Sequence, residues 1–258
     1  MKGKSGFTLL ELSISLIIIA LIIGGILLGK SLKTNAQLQT VITDADSYIT
    51  AAGNFKQTYQ ALPGDFATAT SLWGTDSIGC PTGGGATGTC NGNGDGEIAT
   101  VTGQEYEAFR FWQHLYMAGM FSQNLSGVDT GGVNYAVTIG VNVPAGSIKG
   151  SGFSAVWYGT ISCFGLCFSE QYTGYYGNVL LFGGAPTSGF GQMTDGAILT
   201  PTQAAAIDTK IDDGMPATGK VKSYPYNSLV GSGCTTVSWT YNISATGPLC
   251  SLIFLMGY

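Results

Sequence analysis

The sequence predicts an α+β protein in which one long N-terminal helix packs on an antiparallel β-sheet. Three observations carry this expectation. An apolar run extends from Phe7 to Gly29 with Glu11 as its one ionisable residue. A three-and-four spacing of apolar residues then continues to Tyr59. Beyond Gly132, apolar and polar residues alternate in a chain holding 40 Gly and 8 Pro, which marks strands joined by tight turns.

The first run is long enough to cross the hydrocarbon core of a bilayer as a helix. It follows a short leader, MKGKSG, whose Lys2 and Lys4 would stay in the cytoplasm while the rest of the chain is exported. A secretory signal peptide would have a shorter apolar stretch of about 7–15 residues ending at a small-residue cleavage site. After Lys30 and Lys33, apolar residues recur at Leu38, Val41, Ile42, Ala45, Tyr48, Ile49, Ala52, Phe55 and Tyr59, one stripe of a continuing helix. Leu62-Pro63-Gly64 ends it. The whole element, Phe7 to Gln60, would be about 81 Å long. Gly24-Gly25 and Gly29 weaken its apolar half or let other helices approach closely.

Hydrophobic residues make up 45% of the chain, but only 10% are charged, where a soluble domain carries roughly 25%. The formal net charge is −5 and the pI about 4.6, so no basic surface exists for a phosphate backbone and no nucleic-acid partner is expected. Gly24 to Ser31 matches the G-x-x-x-x-G-K-[ST] phosphate loop, but it lies half inside lipid and no magnesium-binding strand follows, which argues against a nucleotide site.

A carboxylate at Glu11 is expensive in lipid and calls for a partner. Gly6-Phe7-Thr8-Leu9-Leu10-Glu11 after a short basic leader resembles the processing site of type IV pilins and type II secretion pseudopilins. The resemblance implies that prepilin peptidase cuts between Gly6 and Phe7 and that the new N-terminal Phe7 is methylated. It also implies that Glu11 pairs with the Phe7 ammonium of a neighbouring subunit, two opposite charges in low dielectric setting the axial register. The implied organisation is a leader (1–6), a membrane and filament-core helix (7–29), an amphipathic continuation (30–61) and an exported globular domain (62–258). The implied localisation is an inner-membrane single-pass precursor that becomes an extracellular filament. Its partners would be copies of itself and other pilin-type subunits.

Less specific similarities to larger Gram-negative proteins with such N-termini lie at Tyr59 to Asp65, Trp73-Gly74, Phe111 to Leu115 and Ile211-Asp212-Asp213-Gly214. The D-P-W-G segment of major type II pseudopilins is absent.

Within the Gly- and Thr-rich loop from Gly74 to Gly96, Asn91, Asn93, Asp95 and Glu97 place oxygen side chains at alternate positions with Gly96 at the sixth, as in the first half of an EF-hand. These four are the candidate calcium ligands; no other cofactor is expected. Thr102 stands where the bidentate Glu belongs, so completion would need Glu105 or Asp76. A metal-free glycine turn is the competing reading.

Thr102-Gly103-Gln104-Glu105 reads as a capping box for a packing helix through Tyr106, Phe109, Trp112, Leu115 and Tyr116, ending near Gly119. His114, the single His, has no partner cluster, which favours a packing role over a metal or catalytic one. Thr200, Pro201 and Gln203 open a second short helix that Gly214 terminates. Strands are predicted at Tyr135 to Val143, Phe153 to Ile161, Asn178 to Phe182, Val237 to Ile243 and Cys250 to Met256.

The aromatic run from Phe153 to Phe190 reads as core and subunit contact, with a glycan-stacking face as the alternative. Six Cys suit disulfides in an exported protein. Sequence proximity favours Cys80–Cys90, Cys163–Cys167 and Cys234–Cys250, the last resembling the C-terminal disulfide loop of type IV pilins. With no G-x-S-x-G elbow and one His, an enzyme is not expected. The function expected is a structural filament subunit; a minor pilin, pseudopilin or tip adhesin binding a surface or glycan is the alternative.

Overall fold

The computed structural model describes residues 8–76, 88–99, 107–128, 137–161, 174–185, 193–224, 233–236 and 238–258. Its dominant element is α1 (Leu9–Tyr59). Thr8 caps α1 by accepting from Glu11 N, while the Glu11 side chain accepts from Thr8 N, so the capping box satisfies two otherwise orphaned N–H groups. Gln60 ends the helix in the left-handed conformation (φ 54°), its N–H donating to Lys56 O, and the Pro63 turn follows. The helix has two environments. Leu9 through Leu32 project large apolar side chains outward, whereas Leu38, Val41, Ile42, Ala45, Tyr48, Ala52 and Phe55 are buried in the globular core.

The predicted helices are present as α3 (Glu107–Met117) and α4 (Pro201–Ile211); a short α2 (Ala69–Trp73) lies between α1 and α3. The Thr200/Gln203 capping box forms with Pro201 in the first turn. The box proposed at Thr102 falls outside the described residues. Four strands, β1 (Ser151–Ile161), β2 (Gly174–Gly184), β3 (Val221–Tyr224) and β4 (Ser251–Leu255), make an antiparallel sheet in the order β1-β2-β4-β3. The architecture is therefore α+β and pilin-like, a long apolar helix beside an antiparallel sheet.

Tyr48 joins the layers. Its ring meets Trp112 of α3 at 5.1 Å, Phe153 of β1 at 5.2 Å and Phe121 at 5.6 Å, each edge to face. Burial of this hub, with nearby Asp44 adding repulsion, raises the Tyr48 hydroxyl to about 12. After β4 the chain returns to α1, where Tyr258 Oη donates to Ile49 O at 3.0 Å.

Two predicted strands are corrected. In the described part of the 135–143 segment, Gly140 takes a positive φ of 83°, and Val141 N and Asn142 N both donate to Thr138 O. Asn142 Oδ1 closes the loop by accepting from Thr138 N at 2.7 Å, so a turn displaces the strand that alternation suggested. In the Val237 to Ile243 segment, Val237 lies outside the described residues and Trp239 has φ 62°. Trp239 N donates to Thr236 O and Thr236 N to Thr240 O, leaving one bridge, Thr235 to Tyr241. β3 went unpredicted because four residues are too few to show periodicity.

Candidate functional site

The N-terminal segment is exposed along its length: Leu9 is 88% accessible and Leu32 71%. Among the described residues α1 is the one helix long and apolar enough to cross a membrane. Such a surface is stable in lipid or against other apolar helices and costly in water. Glu11 sits at its tip, where Oε2 accepts from Thr8 N at 2.9 Å and Thr8 Oγ1 at 2.8 Å. Oε1 makes no hydrogen bond among the described residues, so half of the carboxylate is open to a partner. Gly6 and Phe7 lie outside the described residues.

A second polar centre forms where the turn after α1 meets the Asn/Gly/Asp loop and the start of α3. Buried Asp65 accepts at Oδ1 from Gly94 N (2.6 Å) and Asp95 N (3.1 Å), and at Oδ2 from Gly96 N (2.8 Å). Buried Glu107 accepts from Asn93 N (3.0 Å) and Ala99 N (2.8 Å). Burial raises both carboxyls, Glu107 to about 7, while the backbone N–H groups pull the other way and neighbouring acids add repulsion.

The four candidate calcium ligands each have hydrogen-bond partners of their own. Asn91 Oδ1 accepts from Thr70 N, Asn93 bonds both the side chain and the backbone N–H of Asp95, and Asp95 Oδ1 accepts from Glu97 N. The acids that do meet are Asp65, Asp95 and Glu107, whose carboxylate oxygens lie within 4.8 Å of one another. Asp76, one suggested completion, instead pairs with buried Arg110 at 2.8 Å, and Glu105 and Thr102 lie outside the described residues. Asp65 and Glu107 could not be joined to this loop by spacing, because the turn and the helix that bring them are remote in sequence. The one signal was chemical, an acid directly after Pro63-Gly64 and another in the first turn of α3.

His114 ties the same region together. Fully buried and stacked on Phe55, its Nδ1 accepts from Gly64 N at 2.9 Å, which places the proton on Nε2, facing Thr89 Oγ1 and Cys90 O. Burial lowers it to about 3, partly offset by the Cys90 carbonyl, so it is neutral at physiological pH.

Cys234 and Cys250 form a disulfide enclosing a loop of sequence separation 16, and Tyr241 Oη anchors that loop to Asp208 of α4 at 2.8 Å. Burial raises Asp208 to about 6. Cys90 is disulfide-bonded; Cys80, Cys163 and Cys167 fall outside the described residues. Of the aromatic run, Tyr176 is buried and Tyr175 is 66% exposed.

Residues 1–27 match the prokaryotic N-terminal methylation motif, the signature of type IV pilins and pseudopilins. The motif supports a type IV pilin-like or pseudopilin protein and implies processing by prepilin peptidase and assembly with pilin subunits. With the exposed apolar helix, it is consistent with a membrane-anchored precursor. No curated protein and no solved structure matches the chain.

Proposed function

We propose that this protein is a structural subunit of a type IV pilus-like filament, cut between Gly6 and Phe7, held in the inner membrane by α1 and then assembled through that helix into an extracellular polymer. The role is non-catalytic, and calcium at the Asn/Gly/Asp loop is the one cofactor it would take. The observation that carries the reading is the outward-facing apolar surface from Leu9 to Leu32, directly following a methylation motif. Leaving the bilayer exposes this surface to water unless copies of the same helix cover it, so extraction and assembly are energetically one event. Glu11 sets the register, its open Oε1 receiving the Phe7 ammonium of the adjacent copy while Oε2 stays on Thr8.

The test is mass spectrometry of filaments sheared from cells. A dominant peptide beginning with N-methylated Phe7 is the expected result, and its rarity relative to another pilin would assign a minor subunit instead. A chain missing from filaments and still starting at Met1 would overturn the assembly reading.

A further inference from the structure

The Asn/Gly/Asp loop contains the Asn-Gly dipeptide twice, at 91–92 and 93–94, in two different environments. Glycine leaves the following backbone nitrogen unshielded, so in an Asn-Gly pair that nitrogen can attack the asparagine side-chain carbon and close a five-membered succinimide. Three things help the attack: a base for the nitrogen's proton, a side chain folded back over the peptide, and a donor on the oxygen that gains charge.

The second pair has all three. Gly94 N–H points at the Asp65 carboxylate, 2.6 Å from Oδ1. That N–H lies in the peptide plane, perpendicular to the direction along which the nitrogen attacks, so the hydrogen bond to Asp65 does not itself block the attack. Asn93 Oδ1 accepts from Asp95 N at 2.9 Å, an Asx turn that curls the side chain over the Gly94 peptide and places a donor on its carbonyl oxygen. Asn93 is solvent-exposed, so water has access.

The first pair has a donor on its side-chain oxygen but neither the base nor a side chain folded back over its own peptide. Gly92 N donates to a carbonyl, Phe66 O at 3.1 Å, which is no base, and Asn91 Oδ1 is bound to Thr70 N of α2 at 2.8 Å. Gly92 is also pressed against the backbone of Gly64 and Asp65, where a Cβ would overlap both.

We propose that Asn93 is a site of self-catalysed deamidation in the folded protein, with Asp65 as the base. Asp65 takes the Gly94 N proton as the Gly94 N to Asn93 Cγ bond forms. The Cγ–Nδ2 bond then breaks, Nδ2 gains a proton from solvent and ammonia leaves, while Asp65 returns its proton to solvent. Water opens the succinimide at either carbonyl, giving aspartate or isoaspartate; the sum is one water consumed and one ammonia released. The product adds a carboxylate beside Asp65, Asp95 and Glu107, so the loop of a long-lived subunit gains negative charge with age.

The test ages the full chain in detergent micelles at neutral pH and follows each Asn by fragment-ion mass and isoaspartyl methyltransferase labelling. Asn93 is expected to convert about tenfold faster than Asn91 or more, well within the effect of a placed base, about 10²–10⁴-fold. In urea, where both pairs lose their surroundings, the two rates should become equal. Asp65→Asn, which keeps the shape but not the basicity, should bring Asn93 down to the Asn91 rate. Equal rates in the folded chain, or an Asn93 that reacts faster once unfolded, would overturn the proposal. The folded-versus-urea comparison decides it even if the Asp65 variant does not fold.

Discussion

Glu107 and His114 lie on one face of α3 with protonation equilibria displaced in opposite directions, and the stability of the domain should record both. Glu107 is raised from 4.5 to about 7, so the fold favours its protonated form. The stability it adds is complete below pH 4.5 and is lost as pH rises through 7. His114 is lowered from 6.5 to about 3, so the fold favours its neutral form. Its contribution is complete above pH 6.5 and is lost as pH falls toward 3. Between pH 4.5 and 6.5 each group has a slope of about 1.4 kcal/mol per pH unit, with opposite signs, and the two nearly cancel in the native protein.

Substitution should uncover each slope. Glu107→Gln mimics the protonated acid. Relative to the native chain it should gain about 2–3 kcal/mol as pH rises from 4.5 to 7, the group being half-titrated at each end of that range. His114→Phe leaves the Gly64 N–H and the Cys90 carbonyl without their ring partner, a pH-independent loss of about 2–4 kcal/mol. Its deficit should shrink by about 2 kcal/mol between pH 6.5 and 4.5, because the native chain alone pays to keep a histidine neutral. The assay is urea unfolding of the full chain in micelles with disulfides intact, followed by tryptophan fluorescence. Differences between variants remove the contribution of Asp208, which is common to all. A difference for either variant that stays flat across this range would refute the assignment of that group's displacement to its buried setting.

Glu11→Ala should leave cleavage after Gly6 intact and sharply reduce filament yield; wild-type amounts of sheared filament would remove the register role. Opening the Cys234–Cys250 bridge with Cys234→Ser and Cys250→Ser together frees a loop of separation 16 and should lower stability by about 3 kcal/mol, read as a fall in Tm. Gly64→Ala places a Cβ against the Glu107 carbonyl oxygen at φ 85°, where side chains are strained, and should destabilise by about 3 kcal/mol or more in urea unfolding. Tyr241→Phe removes the hydrogen bond to Asp208 and should cost about 1–2 kcal/mol, visible in the same assay.

The sequence by itself determined the helical layer, because helical order is local. The Thr200 cap, the apolar run and the stripe from Leu38 to Phe55 each express interactions over three or four residues, and all are present in the fold. The same locality made the methylation motif legible. Strands were legible where alternation coincided with real pairing, as in β1, β2 and β4, and misread at 137–143 and 239–243. There Gly140, Asn142 and Trp239 adopt turns that a period of two cannot reveal.

Tertiary structure decided the polar centre. Asp65 meets Gly94 because the Pro63 turn folds the end of α1 against the loop, and Glu107 reaches Asn93 and Ala99 because α3 packs against that same turn. Asn91 and Asn93 look equivalent in sequence. Their difference comes from what is folded beside them, Thr70 and the Phe66 carbonyl for one, the Asp65 carboxylate for the other. Hydrogen bonds select partners by position in space, and periodicity along the chain carries no record of contacts made over such separations.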